Sequence, residues 1–121
     1  MVTVRAIRGA IQIDRDDPDL MRSAVLELMS AILQENNLTP SQLISVLFTC
    51  TPDLVSDFPA ASARAMGMEK VPLLCAVEMA VPGSLPRTIG TLVHCHTTLE
   101  QTEIAHIYLR GAVVLRKDIA Q

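Results

Sequence analysis

The chain has 121 residues, half of them hydrophobic, which fits one domain with an aliphatic core. Its net charge is −3, from 13 acidic against 10 basic residues, which argues against a nucleic-acid or anionic-membrane partner, since either would want a basic face. The longest apolar stretch, 71–82, contains Glu78 and is too short to span a bilayer, and Arg5 and Arg8 interrupt the start, so the expected compartment is the cytoplasm.

Val2, Val4 and Ala6 alternate with Thr3 and Arg5, which predicts an opening strand with the even residues buried. The run 14–18, four charged residues ending in Asp17-Pro18, is a helix start, because aspartate accepts from free backbone N–H groups and proline suits the first turn. Met21, Val25, Leu28, Met29 and Ile32 recur at helical spacing, so the helix is amphipathic and ends near Asn36-Asn37. Thr39 and Gln42 have capping-box spacing, and a short helical turn follows. Residues 44–50 read as a buried strand, and Pro52 breaks it. A short alanine-rich helix begins at Phe58-Pro59 and stops at Gly67. Further strands are expected over 71–81, 88–96 and 106–109, with a turn at 82–84 and a second capping box at Thr98 and Gln101. Together these give an α/β (α+β) single domain, residues 1–121: a mixed sheet, two main helices and short helical turns.

Three charged residues stand where the pattern wants apolar ones. Arg8 continues the parity of Val2, Val4 and Ala6; Glu78 shares parity with Leu74, Ala76 and Ala80; Arg116 closes an apolar run. A buried charge is costly unless paired. Either Arg8 and Glu78 form a salt bridge or end in water, or two or more arginines line a pocket for a carboxylate, whose geometry the guanidinium fork matches. Cys50, Cys75 and Cys95 form no C-x-x-C pair and are expected as reduced, core-like thiols. His94 and His96 alternate around Cys95 without a third ligand at suitable spacing, so no metal is expected, and the pair belongs to a face that is solvated or meets another subunit. No pattern for a nucleophilic serine, a phosphate loop or paired catalytic carboxylates is present. What remains is an anion pocket with arginines, one tyrosine and one glutamate.

Read in order, several segments resemble one family. They are Val4-Arg5-Ala6-Ile7-Arg8-Gly9-Ala10; Cys50-Thr51-Pro52-Asp53-Leu54 with Asp57-Phe58-Pro59-Ala60-Ala61 and Ala63-Arg64; and Val71-Pro72-Leu73-Leu74-Cys75 with Glu78-Met79 and Val81-Pro82-Gly83-Ser84-Leu85. His106-Ile107-Tyr108-Leu109 and Ala112-Val113-Val114-Leu115-Arg116 complete the set. The chain is similar to the monofunctional chorismate mutases of the Bacillus type. The resemblance implies a pseudo-α/β-barrel homotrimer with active sites between subunits, and conversion of chorismate to prephenate in aromatic amino-acid biosynthesis. It implies no cofactor and no metal. It also implies roles. Arg8 binds a substrate carboxylate, Glu78 and Cys75 hold the ring hydroxyl, and Tyr108 bonds the side-chain carboxylate. Phe58, Arg64, Leu74, Leu115 and Arg116 line or close the pocket, with Thr88 and Gly90 facing it from the fourth strand.

One position departs from that pattern. Where the family places an arginine aimed at the breaking ether oxygen, this chain has Gly90, while Arg87 has the opposite strand parity and Thr88 carries no charge. The expectations are a mutase of reduced rate, a mutase with another cation such as Arg110 or Arg116 in that role, or a binding module or diverged enzyme for a related cyclic dicarboxylate.

Overall fold

The opening alternation does form a strand, β1 (Thr3–Gln12), but its buried face is the other one. Ile7 and Ile11 are fully buried, whereas Val2 and Val4 are largely exposed. The cause is the long helix α1 (Pro18–Glu35), which lies across the odd-numbered side. Gly9 permits that approach, since a Cβ there would come within 3.1 Å of Ile32 Cδ1 and 3.2 Å of Leu28 Cδ1. The structure, a computed structural model, describes residues 1–116, apart from the side chain of Arg116.

α1 begins as the sequence predicts. Asp17 is the N-cap and accepts from the Leu20 N–H at 3.0 Å, and Pro18 fills the first position. It ends at Asn36, after which Asn37 turns with φ 53°. A 3₁₀ turn over Pro40–Gln42 leads into β2 (Leu43–Cys50), with the predicted Thr39–Gln42 capping box in place. The second helix, α2 (Pro59–Ala63), is only five residues long. A π turn (Arg64–Met68) continues it to Gly67, whose φ of 113° stops helical winding.

β3 (Leu73–Val77) is shorter than the predicted 71–81. After the Glu78 N–H bonds the Cys50 carbonyl at 2.9 Å, the chain folds on itself, with Val81 N–H donating to Met79 and Ser84 N–H to Val81. β4 (Thr88–Thr97) follows, then a 3₁₀ turn (Gln101–Glu103), β5 (Ile107–Leu109) and a 3₁₀ segment (Arg110–Arg116). The second capping box is Glu100 with Glu103, not Thr98 with Gln101, because the Glu103 carboxylate takes the Glu100 N–H at 2.7 Å.

The strands make one mixed sheet in the order β3-β2-β4-β1-β5. β4 runs antiparallel to β1 and β2, while β1–β5 and β2–β3 are parallel. The core lies between the sheet and α1. Ile7, Ile11, Val46, Phe48, Ile89 and Val93 meet Met21, Val25, Leu28 and Ile32, all at most 1% exposed. Burying such side chains contributes about 1.5–3 kcal/mol each. Both α-helices lie on this side, so neither covers the other sheet face.

Candidate active site

The strand registers place a row of side chains across that uncovered face. Ala76 pairs with Thr49, Thr49 with Gly90, Gly90 with Ala10 and Ala10 with Tyr108. The next row holds Leu74, Leu47, Leu92 and Arg8. Side chains alternate along each strand, so paired residues in a row share a face. Two small residues, Gly90 and Ala10, sit mid-row between larger neighbours, and a cleft of about 650 Å³ opens over them.

Arg8, Glu78, Tyr108, Thr88, Gly90 and Leu115 all line this cleft. β1 carries Arg8 to its rim, where the residue is exposed. Its backbone N–H donates to His106 Nδ1 at 3.0 Å, which joins β1 to the start of β5. Tyr108 is placed from the far side by Asn36, a buried amide at the end of α1. Asn36 donates to the Ile32 and Ala105 carbonyls, both at 2.9 Å, and accepts the Ala105 N–H at 2.8 Å, so the chain entering β5 is clipped to the helix.

Arg8 and Glu78 form no ion pair with each other among the described residues; both are exposed, and both line the cleft. Glu78 lies just past β3. Its Oε2 accepts from the Thr49 hydroxyl at 3.2 Å and its Oε1 from the Met79 N–H at 3.0 Å. Thr88 is buried at the cleft wall and spends its hydroxyl on the Pro86 carbonyl at 2.9 Å.

The turn 82–87 beside the cleft is pinned by Asp53, both of whose carboxylate oxygens accept the Arg87 N–H, at 3.2 and 3.0 Å. Arg87 adopts φ 51° and donates from Nε to the Ile13 carbonyl at 3.0 Å, away from the cleft, in keeping with its sequence parity. Arg110 is likewise elsewhere: it pairs with Glu27 of α1 at 2.7 Å and does not line the cleft. Arg116 ends the 3₁₀ segment, but its side chain lies outside what the structure describes.

Four expected site residues are not gathered into the cleft of this chain. Phe58 and Arg64 are exposed at the two ends of α2. Leu74 is exposed on the open face of β3, the edge strand, and Cys75 is turned the other way, against the core. The same edge carries Val77 and Met79, 74% and 75% exposed. The cleft therefore holds one guanidinium, that of Arg8, among the described residues.

The cysteines are free thiols. Cys95 is buried, as expected, and donates to the Arg5 carbonyl at 3.7 Å. Cys50 is partly buried; burial, with Cys75, Asp16 and Asp53 adding repulsion, pushes its thiol up to about 12. His94 is half-buried beside Ser45 and His96 is exposed.

Thr49, Leu47 and Ala10 belong to the cleft and were not singled out from the sequence. Strand parity was the available signal, but only the register of β2 against β4 shows that Thr49 faces Gly90.

Comparison with known proteins places this arrangement. The family model Chorismate mutase type I matches residues 4–119. The chain is 47% identical over 117 residues to chorismate mutase AroH of Thermus thermophilus, covering 96% of each chain. It is 36% identical over 118 residues to chorismate mutase AroH of Bacillus subtilis, covering 97% of this chain and 93% of that one. Among solved structures, a chorismate mutase from Clostridium thermocellum superposes with a TM-score of 0.89 at 38% identity, covering 90% of this chain and 97% of that one.

Proposed function

The chain belongs to the type I chorismate mutase family, and we propose that it isomerises chorismate to prephenate in the cleft on the open face of its sheet. The observation that carries this reading is the convergence of Arg8, Glu78 and Tyr108, from three separate segments, on one hollow floored by Gly90 and Ala10.

The chemistry asks for little beyond such a hollow. The Claisen rearrangement is a single pericyclic step: one carbon–oxygen bond breaks as one carbon–carbon bond forms. The work of the protein is to hold a flexible dianion in its compact shape and to favour charge building on the ether oxygen. Arg8 grips one carboxylate as a charge-assisted fork, Tyr108 bonds the side-chain carboxylate, and Glu78 accepts from the ring hydroxyl. Apolar walls from Leu85, Leu92 and Leu115 exclude water and strengthen each of these contacts.

A dianion calls for more positive charge than the single Arg8. We assign the remainder to a neighbouring copy within a homotrimer, whose Phe58, Arg64, Leu74 and Cys75 segment completes the cleft, with Leu115 and Arg116 closing it. Two observations support the assignment. Phe58, Arg64, Leu74 and Cys75 stand apart from the cleft of their own chain, and the edge strand exposes Leu74 and Val77, apolar surface that calls for a partner. Three free thiols fit a reducing cytoplasm, and no helix among the described residues is long and apolar enough to cross a membrane.

The test is direct. Purified protein should consume chorismate, followed by loss of its absorbance, and yield prephenate. Binding of a prephenate-like dicarboxylate without turnover at high protein concentration would reassign the cleft as a binding module.

A further inference from the structure

Gly90 is more than a missing side chain, because another residue occupies the space beside it. A Cβ built on Gly90 would lie 2.6 Å from the Thr49 hydroxyl oxygen, closer than real Cβ contacts come. Thr49 and Gly90 are register partners on adjacent strands, and both line the cleft. The Thr49 hydroxyl thus leans across the row through the gap that glycine leaves. From there it donates to Glu78 Oε2 at 3.2 Å. The other carboxylate oxygen of Glu78 accepts its neighbouring Met79 N–H at 3.0 Å.

We propose that Thr49 is a positioning residue for the mutase reaction: its hydroxyl, admitted by Gly90, orients the Glu78 carboxylate in the cleft. Glu78 lies one residue beyond β3; its backbone N–H is held by the Cys50 carbonyl at 2.9 Å, but its side chain is exposed. An exposed glutamate on such a segment samples several rotamers. Two donors from different elements, one on β2 and one on its own turn, leave its carboxylate with one direction. Positions 49, 78 and 90 then form a coupled set, in which a side chain at 90 displaces the hydroxyl at 49 and so loosens the carboxylate at 78. The inference rests on the mutase reading of the cleft for its kinetic consequence, but not for its geometry.

The experiment is a cycle of Thr49→Val and Thr49→Ser, each with Glu78 intact and with Glu78→Ala. Valine keeps the shape of threonine and removes the donor, so the fold has no reason to change. With Glu78 present, Thr49→Val should lower kcat/KM for chorismate about tenfold, the scale of a hydrogen bond to a charged group, and Thr49→Ser should restore it to within about twofold. With Glu78→Ala, the valine substitution should have no further effect. An equal loss in both backgrounds, or a serine variant no better than valine, overturns the proposal. Crystal structures of the two single variants give a reading independent of turnover. Glu78 should stay within hydrogen-bond reach of residue 49 in the serine protein and leave it in the valine protein. If it does not move, Thr49 does not position it, whatever the rates. If the unaltered protein turns over no chorismate at all, the mutase reading fails, and the crystallographic comparison alone decides the role of Thr49.

Discussion

Replacing Gly90 with arginine puts a guanidinium into the cleft floor, at the position where the family resemblance expects a cation. The gain is bounded by what stands there already. The new Cβ would sit 2.6 Å from the Thr49 hydroxyl, about 0.8 Å inside the 3.4 Å at which ordinary contact begins. Thr49 relieves this most cheaply by rotating to another staggered well, and its hydroxyl then leaves Glu78. Losing a hydrogen bond to a carboxylate lowers the rate by about tenfold or somewhat more, while a donor aimed at developing charge raises it by about 10²–10³. The expected net effect of Gly90→Arg is a rise in kcat of about tenfold to a hundredfold. Gly90→Ala separates the two contributions, since it brings the same Cβ without the charge, and it should fall about tenfold below the unaltered protein. The ratio of the arginine to the alanine variant then isolates the guanidinium and should reach about 10²–10³. Initial rates of chorismate loss at matched protein concentration measure all three. A ratio near one would refute the claim that this spot faces the ether oxygen, and with it the alignment of β4 on which that claim stands.

Other consequences follow from the fold. Leu74→Asp puts a charge on the exposed apolar edge of β3 and should convert the proposed trimer to monomer in sedimentation, with activity lost in parallel; an unchanged sedimentation coefficient would exclude this edge from the interface. Arg110→Gly tolerates the positive φ of that position and removes only the pair with Glu27, so turnover should stay within about twofold; a large loss would return Arg110 to the list of catalytic cations. The Cys50 thiol ionises near 12 rather than the ordinary 9.0, which cuts its thiolate at pH 8 by about a thousandfold. Iodoacetamide followed by peptide mass spectrometry should therefore label Cys50 far more slowly in native protein than in urea. The sign for stability is the same: Cys50 favours the fold fully below pH 9 and progressively less as pH climbs toward 12. Equal labelling in both states would show the thiol to be more open than this.

Much of the architecture was legible in the chain itself. Asp17-Pro18 and the spacing of Met21, Val25, Leu28 and Ile32 fix α1 because capping and helical periodicity are local physics, settled within a few residues. The family resemblance also singled out Arg8, Glu78 and Tyr108, which the structure brings to one cleft. What local pattern misjudged was which side of β1 is covered. Val4 and Ile7 are equally apolar, and only the docking of α1 across Gly9 makes Ile7 core and leaves Val4 on the open face. Thr49 shows the same boundary more sharply. Its neighbours in sequence make it one polar residue in a buried strand, while pairing of β2 against β4 and β3 brings it between Gly90 and Glu78, 41 and 29 positions away along the chain. Sequence determines elements through short-range preferences; the site depends on strand register and on which face stays uncovered, and those are decided only when distant segments compete for the same burial.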